Sequence, residues 1–361
     1  MRIAQIAPLQ VAVPPHTYGG TERVIANLTD ALVRLGHDVT LFATGDSQTM
    51  ARLVAPRPTG INFDPTADGT AQHLALLSEV YNRADDFDVI HSHLDFLTLP
   101  FTRAGATPTV LTLHGRLDLA DYGRIFGLYT QANYVAISDS QRTYLPELNW
   151  VRTVYHGVDV ERFPYSAEPG KYLAFVGRIS PEKGPERAIR IAQRTGIPLK
   201  IAAKVDPKDQ TYYEQVVRPL LDDPLVEFLG QLDEQAKREL MRDALALLLP
   251  ITWPEPFGMV FIEALACGTP VLTCPYGAAP EILRDGVTGF LRSDDEDLAA
   301  AALQVAGISR EECRAYVRRR FDIRTMARGY MQAYAQVIED ASPRAASRAQ
   351  DGLELPLERG S

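Results

Sequence analysis

Short apolar runs alternate with stretches of helical periodicity along most of this chain, and the alternation stops near residue 156 and then starts again. An apolar run of four to six residues bounded by helical segments predicts a strand buried on both faces, and strands joined through helices pair in parallel. Residues 3–7, 39–43, 88–90, 109–113 and 134–137 read as strands of a first sheet, with 44–69 as irregular surface chain. Residues 172–176, 199–203, 226–229, 245–249 and 271–273 read as strands of a second. The expected class is α/β, with two Rossmann-like parallel-sheet domains. At 361 residues the chain is long enough to give each domain its own core. The boundaries fall at 1–155 and 156–321, followed by a last long helix over about 322–340. Residues 342–361 are small, charged and aperiodic, which predicts a disordered tail.

Composition removes several classes. No apolar run reaches the roughly 20 residues of a membrane helix, and the first residues, with a single arginine, read as a strand and not as a secretion signal. Cys267, Cys274 and Cys313 are too few and too scattered for a disulfide framework or a zinc site, so a reducing cytoplasm is expected. A net charge of −9 argues against a nucleic-acid partner.

The densest concentration of chemistry lies in 253–274, WPEPFGMVFIEALACGTPVLTC. Pro254 and Pro256 keep its start out of a helix, helical periodicity runs from about Phe257 to Ala266, and Gly268 is the expected left-handed stop. Glu255 then sits in the loop before a helix and Glu263 inside it. Free backbone N–H groups at the helix start, around Phe257, Gly258 and Met259, suit an anion. A carboxylate can hold a pair of sugar hydroxyls. Glutamates flank helices in many folds, but this arrangement suits a ligand with phosphate in the middle and polyol at both ends, as in a nucleotide sugar.

Other candidates cluster at strand ends, where open parallel sheets bind ligands. Gly19 and Gly20 follow the first strand, with Thr21 as the expected helix cap, and two glycines fall short of a dinucleotide fingerprint. His91 and His93 end one strand, and His114, followed by Gly115 and Arg116, ends another. Gly177-Arg178 and Lys183-Gly184 repeat the strand–glycine–helix pattern with two cations added, which suits a diphosphate. Two Asp-x-Asp strings, at 86–88 and 295–297, sit before a strand and at a helix start, where structural roles account for them. The arginines of 314–328 read as a solvated helix face, with an anionic contact, such as a membrane surface or an acidic acceptor, as the alternative that nothing else in the sequence indicates.

The frame E-P-F-G-x-x-x-x-E-A-x-x-C-G-T-P-V resembles the glutamate-pair signature of the retaining family 4 glycosyltransferases of the GT-B fold. The rest of the family plan follows in order: the glycine pair, the histidine after an N-terminal strand, H-G-V-D at 156–159, and G-R-x-x-x-x-K-G at 177–184. The resemblance implies two domains facing across a cleft and a last helix crossing back onto the first. It implies that Glu263 holds the ribose of the donor, Glu255 its sugar, and Arg178, Lys183 and the backbone of Gly19 and Gly20 its diphosphate. His114 would contact the sugar near the reacting carbon. It further implies a nucleotide-sugar donor, UDP by default, no metal or other cofactor, and retention of configuration. The acceptor, a saccharide, lipid headgroup or small aglycone, is expected on the first domain near Tyr18, His93 and Arg116.

Two positions depart from the plan. His156 stands where the family often has asparagine, and the strand at 199–203 runs into Lys204 instead of a glycine-rich turn, which makes Lys204 a candidate third cation. The residues alone leave open a nucleotide-sugar 2-epimerase, a non-catalytic nucleotide-sugar sensor and a metal-dependent transferase.

Overall fold

The computed structural model describes residues 1–351 apart from 17, 18 and 104, with side chains as far as 341. Thirteen strands form among them: β1 Arg2–Ile6, β2 Asp38–Phe42, β3 Arg52–Val54, β4 Val89–Ser92, β5 Thr109–Thr112, β6 Asn133–Ala136, β7 Trp150–Thr153, β8 Leu173–Arg178, β9 Leu199–Lys204, β10 Val226–Gly230, β11 Ala246–Leu249, β12 Val271–Thr273 and β13 Gly289–Leu291. The first seven make one sheet in the order β3-β2-β1-β4-β5-β6-β7 and the last six another, β10-β9-β8-β11-β12-β13. Every pairing is parallel. The central strands are buried along their length, β4 and β5 entirely, because helices cover both faces. These are two Rossmann-like domains.

Two details differ from expectation. The segment 44–69 is not wholly irregular, since β3 pairs with β2 at the edge of the first sheet. The first helix, Gly20–Arg34, is not capped by Thr21: Gly19 takes the cap position and makes no side-chain capping bond. Gly19 lies so close to Pro15 that a Cβ would stand 2.8 Å from its ring, which fixes where the helix begins.

The chain crosses between domains twice, side by side. Val158 donates to Phe321 O (2.9 Å) and accepts from Ile323 N (3.1 Å). The second crossing leads into the helix Ile323–Asp351. Its apolar stripe, including Met326, Ala327, Tyr330, Tyr334 and Val337, packs on Ile3, Val24, Leu28 and Val110 of the first domain. The tail expected from 342 falls partly within this helix, and from 352 on lies outside the described residues.

Candidate active site

The cavity between the domains measures about 560 Å³, the size of a typical small-ligand pocket. Its walls are carboxyl ends of adjacent strands. Arg178 ends β8 and Lys204 ends β9, Lys183 lies in the turn after β8, and Glu255 in the loop after β11. The order β9-β8-β11 therefore puts cations beside carboxylates. From the first domain come Gly19 and Gly20, at the start of a helix, and His114, two residues past β5. The helix Met259–Ala266 points its N-terminus into the same space, behind Phe257 and Gly258. Gly258 adopts φ 88°, and a side chain there would also meet the ring of Phe261. Gly268 stops this helix at φ 84°, as the sequence predicts.

Each charged group has partners. Glu255 accepts from the ammonium of Lys183 and from Trp253 Nε1 (3.1 Å). Glu263, with 6 % of its surface exposed, pairs with Lys237 at 3.1 Å, and Lys237 also meets Glu234 at 2.8 Å. Burial works against the Lys237 ammonium, but the carboxylates of Glu263 and Glu234 outweigh it and hold its pKa above the usual lysine value. Arg178 is held by Glu182 (2.8 Å), Asp206 (3.5 Å) and Asp209 (3.6 Å), and Lys204 pairs with Asp206 at 2.6 Å. The two cations are thus presented to the cavity from an acidic cradle. Glu22, in the first turn of Gly20–Arg34, also lines the cavity, and burial raises its pKa. Arg23 reaches Glu234 of the other domain at 3.4 Å.

Histidines occupy the first-domain wall. His114 stacks on His156 with centroids 5.3 Å apart and planes 19° from parallel, and His156 in turn meets Phe257 at 4.7 Å. This column crosses the domain boundary and accounts for an aromatic ring at position 156. Burial holds the His114 imidazole down at about 3, and burial followed by the neighbouring imidazoles holds His91, His93 and His156 well below the usual range. All four are therefore neutral at physiological pH. Beside them stands Asp95, at φ 44°; burial pushes its carboxyl up to about 7, with the His114 backbone N–H opposing the rise.

The cavity brings together His114, Glu255, Gly19, Gly20, Arg178, Lys183, Phe257, Gly258, Met259, Glu263 and Lys204. It does not include His93 or Arg116. His93, expected on the acceptor side, is 2 % exposed and sits behind His114, hydrogen-bonded to it at 2.8 Å. Arg116 is bidentate to Asp118 and stands 5.5 Å over the ring of Trp253. Tyr18 lies outside the described residues. The two Asp-x-Asp strings are engaged structurally: Asp88 with Arg2, Asp86 with Arg83, and Asp295 with Arg187. Among the described residues no three His, Cys, Asp or Glu side chains gather as a metal-ligand set.

Sequence reasoning missed Lys237, Trp253, Glu22 and Asp95. Lys237 lies in E-Q-A-K-R-E, which reads as a solvated helix face with local ion pairs, and nothing in that string signals a partner on another helix. Trp253 was visible at the start of the glutamate loop, where an indole N–H two residues before a carboxylate is a signal that could have been read.

Two family models tile most of the chain. "Glycosyltransferase Family 4" matches residues 18–162 and "Glycosyl transferases group 1" matches 159–320. The alpha-maltose-1-phosphate synthase of Mycolicibacterium smegmatis is 27% identical, with 80% of this chain and 84% of that protein covered. The phosphatidyl-myo-inositol mannosyltransferase of Mycobacterium tuberculosis is 29% identical, over 84% and 85%. Among solved structures, an Anabaena protein, HepE, in complex with UDP and glucose superposes with a TM-score of 0.75 at 20% identity, over 93% of this chain and all (100%) of that one. At that identity the likeness concerns the fold.

Proposed function

Because the chain belongs to the family 4 glycosyltransferases of the GT-B fold, we propose that it moves a sugar from a nucleotide-diphosphate sugar, in the first instance a UDP-sugar, to an acceptor hydroxyl, with retention of configuration and without a metal ion. The observation that carries this reading is the convergence, in one interdomain cavity, of Glu255 and Glu263 with Arg178, Lys183 and two helix N-termini.

The chemistry follows from charge. Breaking the bond between the anomeric carbon and the diphosphate leaves two negative charges growing on phosphate oxygens. Lys183, Arg178 and the backbone N–H groups at Gly19–Gly20 and Gly258–Met259 line the cavity and would stabilise that charge, the two cations turning from their carboxylate partners to the phosphate oxygens. Glu263 would accept from the ribose hydroxyls while Lys237 anchors it, and Glu255 would accept from hydroxyls of the transferred sugar. The acceptor oxygen forms its bond to the anomeric carbon on the face the diphosphate leaves, and its proton passes to the departing phosphate oxygen. No carboxylate nucleophile is required.

Slow donor hydrolysis tests the reading on a panel of UDP-, GDP- and ADP-sugars, with and without chelator. Turnover of one donor, insensitive to chelation and abolished by Glu263→Ala, is expected. Loss of turnover on chelation overturns the metal-free site. A 2-epimerised donor formed without acceptor overturns transfer in favour of epimerisation. No binding of any nucleotide sugar in calorimetry overturns the whole reading.

A further inference from the structure

The wall behind His114 is a closed hydrogen-bond network that runs from the cavity to the crossing helix. His114 Nε2 lies 2.8 Å from His93 Nδ1, and His93 Nε2 lies 2.9 Å from Gln5 Oε1. Gln5 Nε2 donates to the Tyr334 hydroxyl at 3.0 Å. That hydroxyl also stands 2.7 Å from His91 Nδ1, and His91 Nε2 is 2.7 Å from Thr112 Oγ1. Thr112 then donates to the Tyr330 hydroxyl at 3.1 Å. Gln5, His91 and His93 are sealed from solvent, as are Tyr330 and Tyr334.

Counting donors and acceptors gives one proton arrangement. A carboxamide oxygen only accepts, so His93 Nε2 carries a hydrogen. A neutral imidazole has one, so His93 Nδ1 is bare and His114 Nε2 must donate to it. His114 thus holds its single proton on the side away from the cavity. The other branch closes in the same sense. The Tyr334 hydroxyl accepts from Gln5 and donates to His91 Nδ1, His91 Nε2 donates to Thr112, and Thr112 to Tyr330. With the Gln5 amide turned over, its oxygen and the bare His91 Nδ1 would compete for the single Tyr334 hydrogen, so the bond from Thr112 to Tyr330 selects the orientation described.

We propose that Gln5 and Tyr334 are positioning residues that fix the tautomer of His114, leaving its bare Nδ1 toward the cavity as a hydrogen-bond acceptor for a hydroxyl of the donor sugar. The tautomer stands on geometry alone, while the role of its open nitrogen rests on the nucleotide-sugar reading above. His114 in this state cannot protonate a leaving group. Its contribution is to orient the sugar, and Tyr334 is a residue of the crossing helix that holds that orientation from outside the cavity.

The test is ¹H–¹⁵N correlation of the histidine side chains of the full chain, with the His114 signals identified by their loss in His114→Asn. The expected result is a protonated Nε2 and a bare Nδ1, unchanged between pH 8 and pH 6. A protonated Nδ1, or a doubly protonated ring, overturns the proposal. Tyr334→Phe takes the acceptor from Gln5 and the donor from His91. It should give mixed His114 tautomers and a kcat lower by roughly tenfold, the rate equivalent of one buried hydrogen bond, with donor KM little changed. An unaltered His114 spectrum in that variant overturns the positioning role. The expected tautomer in a chain that binds no nucleotide sugar would leave the network standing and sink the function it is assigned to serve.

Discussion

The ammonium of Lys237 stands 3.1 Å from the carboxylate of Glu263, joining the helix Glu234–Arg242 to the helix Met259–Ala266 at the edge of the interdomain cavity. Both side chains are largely buried, and the Glu263 carboxylate, with that of Glu234, holds the Lys237 ammonium charged. Removing one member of such a pair costs about 3–5 kcal/mol, more than the pair itself contributes. Lys237→Met should therefore lower unfolding stability by about that amount in urea titrations and weaken donor binding as well. Adding Glu263→Gln to it should restore much of the stability, because the buried Glu263 charge is gone and Glu234 keeps Arg23 and Arg238 as partners, but not the donor affinity.

Gly277 determines where Glu255 sits. It adopts φ 60°, and a Cβ there would lie 2.4 Å from both the backbone N and O of Glu255. Neither backbone can yield without moving the carboxylate that Lys183 and Trp253 hold. Gly277→Ala should reduce kcat by at least tenfold. Gly286→Ala is the control, since it shares the left-handed backbone (φ 73°) but meets open space. It should cost only about 1 kcal/mol of backbone strain and leave kinetics intact. Parallel thermal melts and donor kinetics separate the two effects.

Stability should fall in mild acid. His91, His93, His114 and His156 are buried and neutral, with pKa values below that of an unfolded histidine near 6.5. Below about pH 6.5 the unfolded chain takes up protons that the folded chain does not, so unfolding becomes more favourable as pH drops. The folded value of His114, about 3, keeps that window open downward. Each histidine should remove about 1.4 kcal/mol per pH unit there. Urea midpoints at pH 7.5 and pH 5.5 measure the slope, and equal midpoints would refute the assignment of neutral rings.

Arg310 ties the second domain together away from the cavity. Its guanidinium donates to the carbonyls of Ser166 and Ala244 and to Thr269 Oγ1, each at 2.8 Å. Arg310→Ala leaves these acceptors unsatisfied, and a loss of about 3 kcal/mol is expected. Below the lowered melting temperature, donor kinetics should match those of the parent, because the hydrogen-bond partners of this side chain lie outside the cavity wall.

Much of the fold was legible because its signals are local. A buried parallel strand is mostly apolar, and the apolar stretches of β1, β4, β5, β8, β9 and β11 are unmistakable even with Gln5, His91 or Lys200 among them. Edge strand β3 was not, since three residues paired on one side require no apolar run. The glycines and cations at strand ends were visible for the same reason as the strands. Parallel topology places every such end on one side of its sheet, so Gly19, His114, Arg178, Lys183 and Glu255 could be read as convergent without knowing the distances between them.

Order along the chain and local periodicity thus determined the two parallel sheets, the last long helix and several charged and glycine residues of the cavity wall, while the crossing of that helix followed from the family resemblance. Partnership was decided only in three dimensions. Lys237 reads as a surface lysine until its helix packs beside Glu263, His93 as a cavity histidine until β5 sets His114 in front of it, and Tyr334 as one more apolar-face residue until its hydroxyl meets Gln5 and His91. The physical reason is range. Backbone periodicity arises from neighbours three or four residues apart, whereas the charge state of Lys237 and the tautomer of His114 are set by atoms from distant segments, brought to 3.1 Å and 2.8 Å by packing and cut off from water by burial.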